Sequence, residues 1–589
     1  MISKEIVMKR LAILPAIITV LYISSCNKSD LLDKTSKDSI DADKFFNTAT
    51  DLQVYTNGFY DMLPTTTVYT DDQYSDNMIP LIVGDRVKGA RIVPASNTGT
   101  NWQWADLRRI NYFLEHYEKC PDNAAKLKYG GIARFFRAYF YYDKVKTFGD
   151  VPFYNKVLAA NDPDLYKARD SRKLVMDSVL ADINYAVANI PKEIQLNQVT
   201  KYTALLLKAR ICLFEGTFRK YHALGDHEKF LTEAAAAANE LINSGAYKLL
   251  TTGGVNASYR ELFARNDQDA TETILARDYN PTFGRHGLSY LMVAPTAGVY
   301  GIPKDMIDSY LMKDGSRFTD LPDYKTKGFY DEMQNRDPRL TQTTPGPDFT
   351  AYKETTREPV NLNITTTGYR VIKALATRDQ WGSLNSYNDI IIFRYAEALL
   401  VLAEAKGELG TLTQADLDKS INVLRTRAGM PALNLAVANS NPDPFLADLY
   451  PNVTTGVNKG VLLEIRRERR IEMFNEGLRW DDLMRWKEGK KLEKPMVGMY
   501  FPGLGAFDFN NDGKADVYLH TGNASGAPAG TPSIINVNQK KLTNGTSGNF
   551  NPLSNTPRTF NELKDYYYPL PIEDLTLNPN LDQNPYWTN

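Results

Sequence analysis

Apolar positions recur at helical spacing in blocks along this chain, and long stretches with no period separate the blocks. Phe45, Phe46, Leu52, Tyr55, Phe59 and Met62 predict an amphipathic helix over 42–63. Trp104, Leu107, Ile110 and Leu114 predict a second over 102–119. Ile132, Phe135, Phe136, Tyr139, Tyr142 and Val145 predict a long third over 124–148, stopped by Gly149 and Pro152, which cannot continue a helix cheaply. Helices over 171–190, 201–215 and 230–244 follow. The last two carry Ala204, Ala209 and Ala235 to Ala238, small side chains that let antiparallel helices approach closely in a tetratricopeptide-like hairpin. Residues 388–407 and 413–428 predict another such pair. By contrast, 65–78 is polar and dotted with aromatics, and 245–387 and 496–557 are rich in Gly, Pro and Thr, with short β-like pieces in the last. Loops of that length inside a compact chain are where function usually sits.

The block 461–487 is the most densely charged. Leu462, Ile465, Met473 and Phe474 share an apolar stripe, while Glu464–Arg467 and Arg469–Glu472 set opposite charges three apart. Exposed pairs of that kind contribute about 0.2–0.5 kcal/mol each. Two readings stay open: a solvated charged face, or a central helix whose guanidinium groups reach carboxylates and carbonyls on neighbouring segments, with Trp480 and Trp486 close by. Gly477 breaks this helix, and Trp480, Leu483, Met484 and Trp486 begin a shorter one.

The N-terminus adds a targeting signal. Lys4, Lys9 and Arg10 precede an apolar run of 13 residues, Leu11 to Ile23, too short to span a bilayer. It ends in Ile23-Ser24-Ser25-Cys26, which resembles a bacterial lipobox with Cys26 as the acylated first residue of the mature protein. Two or three acyl chains, at about 0.8 kcal/mol per buried CH₂, hold a folded domain on a membrane. Residues 27–43 are polar and read as a tether.

Bulk numbers change the picture little. With 43% hydrophobic and 24% charged residues the composition is that of a globular protein, and a net charge of −1 provides no field to draw nucleic acid. Tyr outnumbers Phe 35 to 25, which suits half-wet binding faces. Three cysteines build no disulfide framework, and Cys120 and Cys212 read as buried free thiols.

For catalysis the chain offers no G-x-S-x-G, no phosphate-binding Walker loop, no H-E-x-x-H and no C-x-x-C, and its five histidines lack metal-ligand spacing. One pattern is metal-like. Asp508, Asn510, Asp512, Gly513 and Asp516 match the first nine positions of an acidic Ca²⁺ loop, with the Lys514 carbonyl as a further ligand. Leu519 stands where such a loop needs Glu, so a structural Ca²⁺ and a metal-free Asx-rich turn both remain open.

Several segments in one order resemble the SusD/RagB family of outer-membrane nutrient-binding lipoproteins of Bacteroidetes. They are the lipobox; Ala133-Arg134-Phe135-Phe136-Arg137-Ala138-Tyr139 through Phe148-Gly149-Asp150-Val151-Pro152; Arg336-Asp337-Pro338-Arg339-Leu340; Asn388-Asp389 through Arg394-Tyr395-Ala396-Glu397; Glu468-Arg469-Arg470 through Arg485-Trp486; and Tyr568-Pro569-Leu570-Pro571 with Asn578-Pro579-Asn580-Leu581. The resemblance implies a mostly α chain: one SusD-like unit with tetratricopeptide-like hairpins, long loop-rich insertions and minor β structure. It implies a signal peptide over 1–25, a tether over 26–43 and the SusD-like unit over 44–589. Within that unit it implies a helical part to about 244, a loop-rich ligand-binding part to about 387, and a helical part with an insertion beyond. It also implies a non-catalytic, cell-surface, lipid-anchored receptor that takes an oligosaccharide, or in some members a peptide, and delivers it to a SusC-like TonB-dependent outer-membrane transporter. A glycan-degrading enzyme and a purely structural adaptor are the competing classes.

The shared motifs are scaffold, so the ligand face is argued from chemistry. Sugars present apolar C–H faces and hydroxyl rims, which flat rings beside Asp, Asn or Arg complement. Tyr69, Tyr74, Trp102, Tyr279, Tyr290 and Trp381 in loop-like regions are the expected rings, with Asp76, Asn77 and Arg285 as polar partners.

Overall fold

The computed structural model describes residues 44–454 and 456–588; the expected signal peptide, Cys26 and the tether lie outside them. Helix α1 (Ala49–Asn57) is nucleated by a capping box, in which the Thr48 hydroxyl accepts from the Asp51 N–H and the Asp51 carboxylate accepts from the Thr48 N–H. A 3₁₀ turn over Gly58–Met62 completes the block expected to be one helix. Helices α2 (Ala105–His116) and α3 (Asn123–Phe148) follow. Asp122 caps α3 by accepting from the Ala124 and Ala125 N–H groups, and Gly149 ends it at φ +77°. Next come α4 (Arg172–Asn189), α5 (Lys201–Tyr221) and α6 (His227–Asn243).

The α3/α4 and α5/α6 neighbours pack side by side because glycines let them. A Cβ on Gly131 would lie 2.8 Å from Ile190, and one on Gly216 2.8 Å from Leu231. Strands β1 (Thr273–Arg277) and β2 (Ile390–Arg394) pair antiparallel, Arg277 opposite Ile390 and Thr273 opposite Arg394. This corrects the helix expected from 388. The β-branched run Ile390-Ile391-Ile392 pairs as a strand, and helix α7 (Tyr395–Leu409) starts only after it. The partner expected over 413–428 is two short helices, Gln414–Asp418 and Ile421–Arg427. Beyond α8 (Lys459–Glu472) and α9 (Arg479–Arg485), a three-stranded sheet pairs β3 (Gly505–Phe507) antiparallel with β4 (Val517–His520), and β4 parallel with β5 (Ser533–Asn536).

One apolar cluster gathers the helical side, from Phe46 on the N-terminal segment through α2–α7 to Val461 and Ile465 of α8. A second joins the irregular 250–391 region to Phe501, Val517 and Phe550 of the late insertion. Between the two lies α8, and the solvated-face reading of this helix is overturned. Every residue from Gly460 to Glu472 is buried, and Arg466 and Arg467 have no exposed surface. Glu468 accepts from Arg425 at 2.6 Å and Arg339 at 3.0 Å; Glu472 accepts from Arg394 at 2.8 Å, Arg427 at 2.5 Å and Arg339 at 3.1 Å. Burial alone would raise the Glu472 carboxyl, but Arg427, Arg394 and Arg339 outweigh it and hold it well below the usual carboxylate range. Trp486 is fully buried and donates to Glu404 Oε1 at 2.7 Å. Cys120 and Cys212 are buried and unbridged.

Among the described residues no helix is long and apolar enough to cross a membrane.

Candidate functional site

The charged centre sets the position of the first long loop. Asp76 receives Arg479 at 2.7 and 2.9 Å, Arg470 at 3.2 Å and Lys491 at 3.2 Å. Asn77 Oδ1 accepts from Arg470 Nε at 2.9 Å, and Asp72 Oδ2 accepts from the Asn475 N–H at 2.7 Å. Residues 72–77 are thereby fixed to α8 and to the turn before α9. The 3₁₀ turn Asp71–Tyr74 then presents its outer side chains to the surface, beside Gly477, where a Cβ would stand 3.2 Å from the Val68 carbonyl.

A cleft of about 600 Å³ opens at that point. Asp71 and the start of α9, Trp480 and Asp481, form one wall. The last turns of α3, Asp143 and Lys146, form another. Arg86, Arg91 and Asn101 come from the 79–104 loop, and Tyr568 from the C-terminal segment. The Arg86 guanidinium carbon sits 4.9 Å from the Tyr74 ring, 4.9 Å from Trp480 and 5.5 Å from Tyr568. Arg91 lies 4.3 Å from the Tyr568 ring and is held from behind by the Asp565 carbonyl at 2.6 Å. Among the described residues, Arg86 makes no hydrogen bond or ion pair. Three rings and the nearby Asp71 charge hold it, and its five N–H donors stay free for a ligand.

The remaining polar groups are preset. Lys146 bridges Asp481 at 2.9 Å and Asp143 at 3.4 Å. Asn101 donates to Asp143 and to Thr147 Oγ at 3.2 Å. Burial pushes the Asp71 carboxyl up, against the pull of Arg86 and Lys146. Burial would depress Lys146, but Asp481 and Asp143 outweigh it and raise it well above the ordinary lysine range. The cleft therefore offers flat rings, a free guanidinium, carboxylates and an amide within one concavity. That donor and acceptor set suits a hydroxyl-rich ligand with apolar faces.

The residues expected from sequence divide into three groups. Tyr74 lies at this cleft, against Arg86. Tyr69, Asp76, Asn77 and Trp102 lie in the interior, Trp102 at the wall of a separate pocket of about 520 Å³. Tyr69 has no exposed surface and its hydroxyl accepts from the Ile391 N–H at 3.2 Å; Asp76 and Asn77 are spent on the arginines of α8 and α9; Trp102 is 2% exposed and packs edge-on against Trp104 and Phe148. Tyr279, Arg285, Tyr290 and Trp381 fall on a different loop pair, 279–290 and 377–387, joined where His286 pairs with Ser386. There Arg285 donates to Asn385 at 2.6 Å, Tyr279 stands edge-on to His286 at 4.7 Å, Trp381 donates to the Ala376 carbonyl at 3.0 Å, and Tyr290 is half-buried in a short helix.

Asp508 Oδ1 accepts from the Asn510, Asn511 and Asp512 N–H groups and Oδ2 from the Gly513 N–H at 2.7 Å, so its loop is an Asx-rich turn. Among the described residues no group of three or more His, Cys, Asp or Glu side chains is placed to hold a metal ion.

The family model described as the SusD family matches residues 262–587. This chain belongs to the SusD family. Among curated relatives, a SusD-like protein from Formosa agariphila is 24% identical over 522 residues, covering 82% of this chain and 92% of the relative. The SusD fold is shared with a SusD-like carbohydrate binding protein from Bacteroides fragilis at TM-score 0.69 and 21% identity, covering 92% of this chain and all of the other. A surface glycan-binding protein A from Bacteroides fluxus superposes at TM-score 0.58 with 16% identity, over 92% of this chain and all of the other. The SusD helices position the cleft, but Arg86, Arg91, Trp480 and Tyr568 were not among the expected ligand residues. Trp480 and Tyr568 read in sequence as scaffold motif, and only the fold brings them together with Arg86, hundreds of residues earlier in the chain.

Proposed function

We propose that this SusD-family protein is a non-catalytic receptor that captures an oligosaccharide in the Arg86–Trp480–Tyr568 cleft. The reading rests on Arg86, a guanidinium framed by three rings and left without a hydrogen-bond partner among the described residues. The Bacteroides fragilis carbohydrate binding protein and the Bacteroides fluxus surface glycan-binding protein, which share the fold, support the reading. The lipobox at Cys26 supports lipid anchoring at the outer membrane, facing outward, and the family resemblance supports delivery to a SusC-like TonB-dependent transporter. A glycan array followed by calorimetry on the full-length protein tests the ligand class. Saturable binding of a neutral or acidic oligosaccharide, with the glycan recovered intact, is the expected result. Binding confined to peptides, or release of shortened glycans, overturns it. Mass spectrometry of the N-terminal peptide checks acylation of Cys26.

A further inference from the structure

Two arginines outside the cleft, Arg260 and Arg370, have no ion-pair partner among the described residues and leave guanidinium nitrogens unbonded. Arg260, on the short helix Ser258–Ala264, and Arg370, in the 365–376 segment, both stand over the buried Phe349 ring, at 5.2 and 5.5 Å. Arg260 gives Nη1 to the Thr350 carbonyl at 2.9 Å. In both residues Nε and Nη2 are buried with no hydrogen-bond partner, and Arg370 is only 6% exposed. Nε–H and Nη2–H lie on one edge of the guanidinium plane, the edge that grips a carboxylate or sulfate with two parallel bonds. Two such edges left empty beside one ring are not a packing accident that water-exposed arginines would show: each unpaired buried donor is costly.

The surroundings supply too little negative charge. Glu358 is the acidic side chain acting on both, and it is already bound by Arg378, which also grips Glu354 at 2.8 and 3.0 Å. Arg378 stacks at 4.6 Å on the half-buried Trp381, and Arg370 lies 5.8 Å from the same ring. Burial lowers both Arg260 and Arg370 to about 10, with Glu358 too weak to restore them. The hairpin that brings Glu354 and Glu358, closed by Thr350 facing Arg357, is latched by exposed Arg378 pairs of the kind that contribute little and open readily.

We propose that Arg260 and Arg370 form a binding site for an oxyanion, the carboxylate or sulfate group of an acidic sugar or the free inorganic anion, admitted under the 350–358 hairpin beside Trp381. This site is separate from the Trp480 cleft and does not depend on it.

The test is calorimetric titration of sodium sulfate, and of a glucuronate-bearing trisaccharide, into the full-length protein at fixed ionic strength. Wild type is expected to bind sulfate saturably, and Arg370→Gln about tenfold or more weakly. Arg260→Gln, at a less buried position, reads the same site if Arg370→Gln does not fold. Trp480→Ala keeps the sulfate response whatever becomes of glycan capture in the cleft. Competition between sulfate and the trisaccharide assigns the site to a sugar-borne group; sulfate binding without competition assigns it to the free anion. Sulfate binding that is absent, or unchanged in both arginine variants, overturns the proposal.

Discussion

Asp76 receives the Arg479 guanidinium edge-on, at 2.7 and 2.9 Å, with both side chains about 2% exposed and 403 positions apart in the chain. This pair ties the first long loop to the C-terminal helical region. Arg470 and Lys491 share the same carboxylate but also reach Asp305, at 3.3 and 2.8 Å, so its removal strands the buried Arg479. Breaking one side of a buried pair costs about 3–5 kcal/mol. Asp76→Ala is therefore expected to lower stability by about that amount in urea unfolding. Asp76→Asn should fall between, because the amide keeps one acceptor. Equal stability of all three proteins would show that the pair does not hold the loop.

The cleft separates binding from folding. Trp480 and Arg86 are only partly buried, and Arg86 makes no hydrogen bond or ion pair among the described residues; the half-buried Asp71 carboxylate feels its charge and keeps Lys146. Trp480→Ala and Arg86→Ala are each expected to weaken glycan binding about tenfold, with unfolding midpoints close to wild type. Tyr69→Phe is the control. It removes a hydroxyl that accepts from Ile391 N–H deep in the core, so it should cost about 1 kcal/mol of stability and leave affinity unchanged.

The helices were legible because they obey a 3.6-residue period, and α3, with Asp122 before it and Gly149 after it, matches its expected span almost to the residue. The strand β2 was not, because Ile390–Arg394 runs directly into α7 and an apolar run of that length fits either state. Composition suggested loop rings as binding surface but could not tell Tyr69 from Tyr74. Only the pairing of Asp72 and Asp76 with Asn475 and Arg479 decides which side of that turn faces inward. The same limit hid Trp480 and Tyr568, whose role arises from approach to Arg86 across the fold.

The 508–516 loop makes its shape from backbone hydrogen bonds. The Asp508 carboxylate accepts four N–H groups, the closest from Asn511 at 2.6 Å, and Asp516 accepts from Phe509 N–H at 2.8 Å. With the Asp508 acceptor sites taken by backbone N–H groups, EDTA is expected to leave the melting temperature unchanged and added Ca²⁺ to leave it unchanged as well. Asp508→Ala should lower it by releasing the turn that enters β4. A calcium-dependent rise in the melting temperature that Asp508→Ala abolishes would make this a metal site instead.

Lys540 gives the late insertion a pH response. Its ammonium donates to the Leu362 carbonyl at 2.7 Å and to the Thr365 carbonyl at 2.5 Å, lies 4.8 Å from the Phe550 ring, and has no carboxylate partner among the described residues. Burial lowers it to about 7. Its folded value lies below its unfolded one, so the fold binds the proton more weakly than the unfolded chain does. The charged form costs stability in full below about pH 7, and that cost is relieved as the pH rises from 7 towards the ordinary lysine value near 10.5. Wild type should therefore gain up to about 5 kcal/mol of stability over that span from this group, at about 1.4 kcal/mol per pH unit. Lys540→Met removes the titration, and its unfolding midpoint should lack this gain between pH 7 and 10. Parallel pH profiles for wild type and Lys540→Met would assign the response to another group.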